Sequence, residues 1–186
     1  MNRLKDARVY LAGPMDRCPN GGIQWRQDIT PFLLEMGCFI FDPTDKPMQI
    51  AIEDEEHRDE RKVWKEQHSF GKIAEMMKII RNVDLRMVDV SDFIIVNWDM
   101  EIQMCGTMEE VFLANREKKP ILIHCPQGIK CLPDWLFAVL PYQMMFNDWE
   151  ELKTYVKHVD TYEFGLQTYN RWCFFNMQKH TTKEPV

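Results

Sequence analysis

Short apolar runs alternate along this chain with amphipathic stretches of helical period, and that alternation predicts an α/β fold with a parallel sheet. The apolar runs lack the in–out alternation of half-exposed strands, so the strands they form are covered on both faces. Five such runs suggest a flavodoxin-like open parallel five-stranded sheet, in the order 2-1-3-4-5, with helices on both faces. A chain of 186 residues that is 45% apolar holds one such domain, with room for an appended segment.

Each element follows from local chemistry. Arg8 to Ala12 is the first strand and stops at Gly13-Pro14. Gly21 to Met36 reads as a helix with Ile29, Phe32, Leu33 and Met36 on one face and Gly37 as its stop. Pro31 marks a kink or a break inside it. Cys38 to Phe41 is the second strand, closed by Asp42-Pro43. Residues 53–67 are densely charged, and two readings stand: a solvated helix or loop, or a mobile lid. Ile73 to Asp92 forms one or two helices, and Phe93 to Asn97 is the third, central strand. Thr107 to Glu117 is a helix, Ile121 to His124 the fourth strand, and Gln143 to Phe146 the fifth. Asp148 to His158 is a helix capped by Asn147 or Asp148. Beyond it, Tyr162, Phe164, Tyr169, Trp172, Phe174 and Phe175 make a tail too aromatic to stay free, which should pack on this subunit or a neighbour. The predicted organisation is an α/β domain over 1–160, with a charged insert at 46–70, and an aromatic extension over 161–186.

Composition excludes several classes. Lys and Arg number 23 against 29 Asp and Glu, for a net charge of -6, which argues against a polymeric nucleic acid as partner. No run approaches the length of a membrane span, and the first residues lack a signal peptide's apolar centre, so no membrane partner is expected. Six cysteines without a C-x-x-C pair suggest a reduced, cytoplasmic protein with buried thiols. Neither G-x-G-x-x-G nor G-x-x-x-x-G-K-[ST] occurs. His124-Cys125 has the start of a cysteine-phosphatase loop, but Cys131 stands where its arginine would be. The five histidines show no ligand spacing. No cofactor and no metal are therefore expected.

In open parallel sheets, ligands bind beyond the C-terminal strand ends, at the switch point between strands 1 and 3. That points to Tyr10–Gly22, Asn97–Glu110 and the segment after His124. Thr107 and Glu110 have the spacing of a capping box. Equally, a carboxylate in a first helical turn is held as the anion by the helix dipole, which suits the nucleophile of a glycosyl transfer. Helical period alone does not separate Glu109 from Glu110.

Three stretches together carry a resemblance: Tyr10 with Ala12-Gly13-Pro14-Met15; Asp84-Leu85-Arg86-Met87-Val88-Asp89-Val90-Ser91-Asp92; and Gly106-Thr107-x-x-Glu110 with Ala114 and Lys119-Pro120. In order and spacing they resemble the nucleoside 2-deoxyribosyltransferase family, including its deoxynucleoside 5'-monophosphate N-glycosidase relatives, over residues 8 to 150. The resemblance implies that Glu110 attacks the anomeric carbon and forms a covalent deoxyribosyl-enzyme. It implies that Asp84 acts as acid or proton relay and that Tyr10 orients Glu110. Asp92, at the other end of the third strand, reads as a structural cap.

Substrate binding falls to Gly13, Arg17, Gly21 and Gly22 after the first strand, with Arg26 assisting, and to Gly106 and Thr107. Trp98 and Asp99 would meet the base, Trp98 by stacking. Two departures matter. Met104 stands where transferases of the family carry a second Asp, with Asp99 or Glu101 as substitutes. Tyr142 is the nearest match to the polar residue that enters a neighbour's site, in keeping with a homo-oligomer. The expected substrate is a small nucleoside or nucleotide. Transfer of the sugar to another base is the leading reading, hydrolysis of a monophosphate the alternative, and a silent nucleotide-binding module the alternative of another class.

Overall fold

The computed structural model describes residues 2–46, 55–161 and 171–172. Strands β1 (Arg8–Ala12), β2 (Phe39–Phe41), β3 (Phe93–Asn97), β4 (Ile121–His124) and β5 (Met145–Phe146) pair in parallel in the order β2-β1-β3-β4-β5. Around them pack α1 (Ile23–Glu35), α2 (Glu55–Glu66), α3 (Phe70–Val90), α4 (Cys105–Arg116), α5 (Asp134–Val139) and α6 (Trp149–Thr161). This is the flavodoxin-like α/β arrangement that the alternation of apolar runs predicts.

Alternate strand residues feed opposite faces of the sheet. Val9, Leu11, Phe93, Ile95 and Leu122 join a core with Ile29 and Leu33 of α1 and Leu152 and Val156 of α6. Tyr10, Ala12, Ile94, Val96 and Ile123 join the opposite core with Val88 of α3, Val111 of α4 and Leu136 of α5. A polar residue at Tyr10 therefore faces α3 and α4, not α1.

Several boundaries differ from the expectation, each for a physical reason. α1 starts at Ile23 because Asn20, Gly21 and Gly22 all take left-handed backbone angles, at φ 58°, 59° and 72°. It then runs uninterrupted through Pro31. Its stop is a Schellman motif: Gly37 N–H donates to Leu34 O at 2.9 Å and Cys38 N–H to Leu33 O at 3.0 Å. Residues 70–90 form one helix, not two. α5 has no signal in the sequence, because six residues are too few to establish a period. β5 is only two residues long. Of the two capping residues left open for α6, Asp148 serves: its Oδ1 accepts from Glu151 N–H at 2.8 Å.

The charged insert contributes α2, which packs on α3, with Arg61 Nη2 donating to Asp16 Oδ1 at 2.6 Å. Residues 47–54 of the insert lie outside the described residues. In the tail, Trp172 is fully buried against Phe93, and its Nε1–H donates to Tyr155 Oη at 3.0 Å. Arg171 donates to Val139 O at 2.9 Å and Asn115 Oδ1 at 2.8 Å. At this point the extension packs on its own subunit; Tyr162, Phe164, Tyr169, Phe174 and Phe175 lie outside the described residues. Cys38 and Cys125 are buried, but Cys105 and Cys131 are exposed, which corrects the expectation of buried thiols there. Loop-facing helix ends leave those two open to solvent. Among the described residues no helix is long and apolar enough to cross a membrane.

Candidate active site

The reading of Thr107 as a cap fails. α4 begins at Cys105, with Met104 at its N-cap, so Thr107 lies inside the helix and makes no side-chain cap. The cause is burial: Met104, Thr107, Glu110, Val111 and Ala114 are all buried at helical spacing, so the packed face starts at Met104. Glu110 thus stands in the second turn, beyond the reach of a first-turn dipole effect.

What holds Glu110 is Tyr10. The Tyr10 hydroxyl donates to Glu110 Oε1 at 2.7 Å, inside the core between β1 and α4. Burial, and then the negative charge of Glu110, push the Tyr10 phenol well above its ordinary range, so it stays protonated and able to donate. Glu109 points the other way. It accepts from Arg81 Nε of α3 at 2.8 Å and from Arg81 Nη2, and that partner holds its carboxyl below the usual range. The two adjacent carboxylates are therefore separated by helix geometry into one internal and one external group.

Asp84 of α3 is the third member of the cluster, near enough for its charge to act on Tyr10. Burial raises its carboxyl above the ordinary value, opposed by the Lys46 ammonium and the Arg26 guanidinium. Lys46 Nζ sits 2.8 Å from Asp84 Oδ1. Nothing in the sequence marks Lys46, a lone lysine at the edge of a charged insert.

Arg26 is turned toward the backbone at the end of β1. It is fully buried, and it donates to Leu11 O at 3.2 Å, Gly22 O at 2.8 Å and Gly13 O at 3.1 Å. Asp42, just after β2, lies 3.5 Å from Arg26 Nε. The guanidinium ties the end of β1 to the loop that follows it. That loop is tight at its glycines. A Cβ at Gly13 would fall 2.9 Å from the Trp25 ring, and one at Gly22 would fall 2.3 Å from Pro14 O. Arg17 is exposed on the same loop, leaving it the cation of this loop with its head in solvent.

The remaining predicted residues divide. Gly106 is exposed in the first turn of α4. Trp98 is only 2% exposed and packs in the core with Tyr10 and Met104. Asp99 Oδ1 accepts from Glu101 N–H at 2.9 Å and Gln127 Nε2 at 2.8 Å, joining the loops after β3 and β4. Tyr142 is 67% exposed, outside the cluster. Asp92 accepts from Arg8 N–H at 2.8 Å and pairs with the Arg8 guanidinium at 2.9 Å, at the opposite end of the sheet. A cavity of about 570 Å³ by β5 and α6 shares no residue with the cluster. Among the described residues, no group of three His, Cys, Asp or Glu side chains is gathered that could hold a metal ion.

No protein-family model matches the chain, and no curated protein matches it. Solved structures do. A 2-deoxyribosyltransferase from Bacillus psychrosaccharolyticus is 16% identical, with a TM-score of 0.56 over 80% of this chain and 92% of that one. A 2-deoxyribosyltransferase from Leishmania mexicana is 18% identical, with a TM-score of 0.51 over 82% of this chain and 98% of that one. The chain shares the fold of these 2-deoxyribosyltransferases across most of their length.

Proposed function

We propose that this protein cleaves the N-glycosidic bond of 2'-deoxynucleosides or their 5'-monophosphates through a covalent intermediate on Glu110. The observation that carries the reading is the buried Tyr10–Glu110 hydrogen bond beside Asp84, in a fold shared with enzymes of that class. Glu110 attacks C1' of the sugar. The C1'–N bond breaks, and its electron pair leaves with the base. Asp84 delivers the proton that makes the base a tolerable leaving group. An acceptor then attacks C1', Glu110 departs, and the acceptor's proton returns to Asp84. Two inversions give net retention. Tyr10 fixes the attacking carboxylate in one rotamer, which removes orientational freedom before the reaction begins.

With a second base as acceptor, the protein is a nucleoside 2-deoxyribosyltransferase. A specific observation favours water as the alternative acceptor. Met104, buried at the start of α4, stands where the resemblance to the transferases implies an Asp that would help seat an incoming base. A single nucleotide with its phosphate toward Arg17 suits that hydrolytic reading. Tyr142 is exposed, as a residue offered to a second copy's site would be.

The test is product analysis. The protein is incubated with deoxyinosine or deoxycytidine, with and without adenine, and then with the matching monophosphates. A new deoxynucleoside identifies a transferase. Free base with sugar or sugar phosphate identifies a hydrolase. Absence of turnover on every substrate overturns the proposal in favour of a silent binding module. A deoxyribosyl adduct on Glu110, trapped by mass spectrometry, supports the covalent route.

A further inference from the structure

Two features of the segment after β2 have no part in the proposed reaction. The first is a turn. Asp42 Oδ1 accepts from Thr44 N–H at 2.8 Å and from Thr44 Oγ1 at 2.7 Å, so the chain folds back on itself just beyond Phe41. The same carboxylate lies 3.5 Å from the fully buried Arg26, which in turn holds the end of β1. The turn is thus tied to the part of the sheet that carries Tyr10.

The second feature is what the turn delivers. The Lys46 side chain is 3% exposed, and its Nζ lies 2.8 Å from Asp84 Oδ1. A lysine stem is long and flexible, and its ammonium is strongly hydrated. It is not taken out of water without an ionic partner, because an unpaired buried charge costs several kcal/mol. The exposed Lys62–Asp59 pair, by contrast, joins sequence neighbours on one helix. Lys46 and Asp84 come instead from different elements, across the mouth of the sheet.

We propose that Lys46 is a positioning residue, which fixes the Asp84 carboxyl in place and sets when that carboxyl carries a proton. The inference rests on the role given to Asp84 above. The groups that face Asp84 are Lys46 from the turn, Arg26 from α1 and Tyr10 from β1, with Glu110 of α4 behind the Tyr10 hydroxyl. Arg61 of α2, which also packs on α3, is engaged with Asp16. Of the two cations acting on Asp84, Arg26 is already committed to three carbonyls. Lys46 is the one in direct contact. Burial favours the protonated carboxyl and the ammonium favours the carboxylate, so removing either influence changes how readily Asp84 holds a proton. A group that must give a proton to a leaving base and later take one back is sensitive to both.

The experiment uses the full chain without substrate. The Asp84 carboxyl is titrated by carbon-detected NMR on protein labelled at Asp, with Asp84→Asn to assign the signal. Lys46→Met keeps most of the stem and removes the charge; it should move the Asp84 midpoint upward by about one pH unit or more. Lys46→Arg should restore it to within about half a unit. A folded Lys46→Met protein with an unmoved midpoint overturns the proposal. If Lys46→Met does not fold, the wild type decides. A slowly exchanging Lys46 ammonium with a cross-peak to Asp84 supports the pairing, and a freely exchanging one overturns it. The pH profile of kcat/KM for deoxynucleoside cleavage is then compared. A limb that moves with the NMR midpoint supports the role of the pair in turnover. A midpoint that moves while Asp84→Asn retains full activity supports the Lys46–Asp84 coupling and instead overturns the assignment of Asp84 as acid.

Discussion

Tyr10 and Glu110, 100 residues apart in sequence, meet through a hydrogen bond of 2.7 Å between the hydroxyl and Oε1, buried between β1 and α4. A polar pair in that position must be satisfied within the protein, and each partner satisfies the other. The first expected outcome concerns the neighbouring glutamates. Glu110→Ala should abolish product formation while the protein remains folded. Glu109→Ala should leave turnover within about two-fold, because its partner Arg81 lies on the surface and exposed pairs contribute little. Steady-state assays on both variants check this. Loss of activity in Glu109→Ala alone would sink the assignment.

Tyr10→Phe keeps the ring in the core and removes only the hydroxyl. The expected effect is a fall in kcat of about 10- to 100-fold, or roughly 1.4–2.7 kcal/mol of transition-state stabilisation. KM should change less than kcat, since Glu110 loses its orientation and the pocket does not lose its shape. Because the phenol is pushed well above its ordinary range, first by burial, the wild-type profile should show no tyrosine limb near pH 10. An unchanged kcat in Tyr10→Phe would show that the hydrogen bond only stabilises the fold.

His124 provides a pH dependence of stability. Its ring stacks on Trp149 with centroids 4.0 Å apart and hydrogen-bonds Asn97 Oδ1 at 2.9 Å. Burial lowers it to about 4, partly opposed by the charge of Asp148. The folded state therefore binds the proton less readily than the unfolded chain, where histidine titrates near about 6.5. Stability from this group is complete above that value and is lost as the pH falls toward about 4. The loss should reach at most about 3 kcal/mol. Urea unfolding of wild type and His124→Gln across that window checks it. Parallel curves for the two proteins would refute the assignment.

Gly22 and Gly21 offer a paired test of the loop after β1. Both have positive φ, at 72° and 59°, but only Gly22 has backbone against its missing Cβ. Gly21→Ala should cost about 1–2 kcal/mol for the left-handed conformation alone. Gly22→Ala should cost more, because Pro14 O cannot move without disturbing the carbonyls that Arg26 holds. Equilibrium unfolding measures both, and equal losses would show that the close approach is not a constraint.

Much of this architecture is legible in the residues. The runs 8–12, 93–97 and 121–124 are continuously apolar except at one end, at Arg8, Asn97 and His124, because both faces of a central parallel strand are covered, and their limits match the strands observed. Gly37 ends α1 as its spacing suggests, since the Schellman turn needs a residue at positive φ. Short or irregular pieces are less legible. α5 is too brief to show a period, and the start of α4 is set by where Met104 packs, not by a capping side chain.

The sequence by itself pointed to the sheet order through its apolar runs, and its resemblance to the nucleoside 2-deoxyribosyltransferase family brought Tyr10, Asp84 and Glu110 to notice. Only the tertiary structure decided which glutamate faces inward. Residues 109 and 110 differ by one step on a helix, and the side that is buried depends on what β1 and α3 present to it. The fates of Trp98, Arg26 and Lys46 were likewise tertiary. A side chain's type says what it can bind, but its burial and its partners come from segments far away in the chain. For Arg26 those partners are the carbonyls at the end of β1 and after it, and for Lys46 the Asp84 carboxylate.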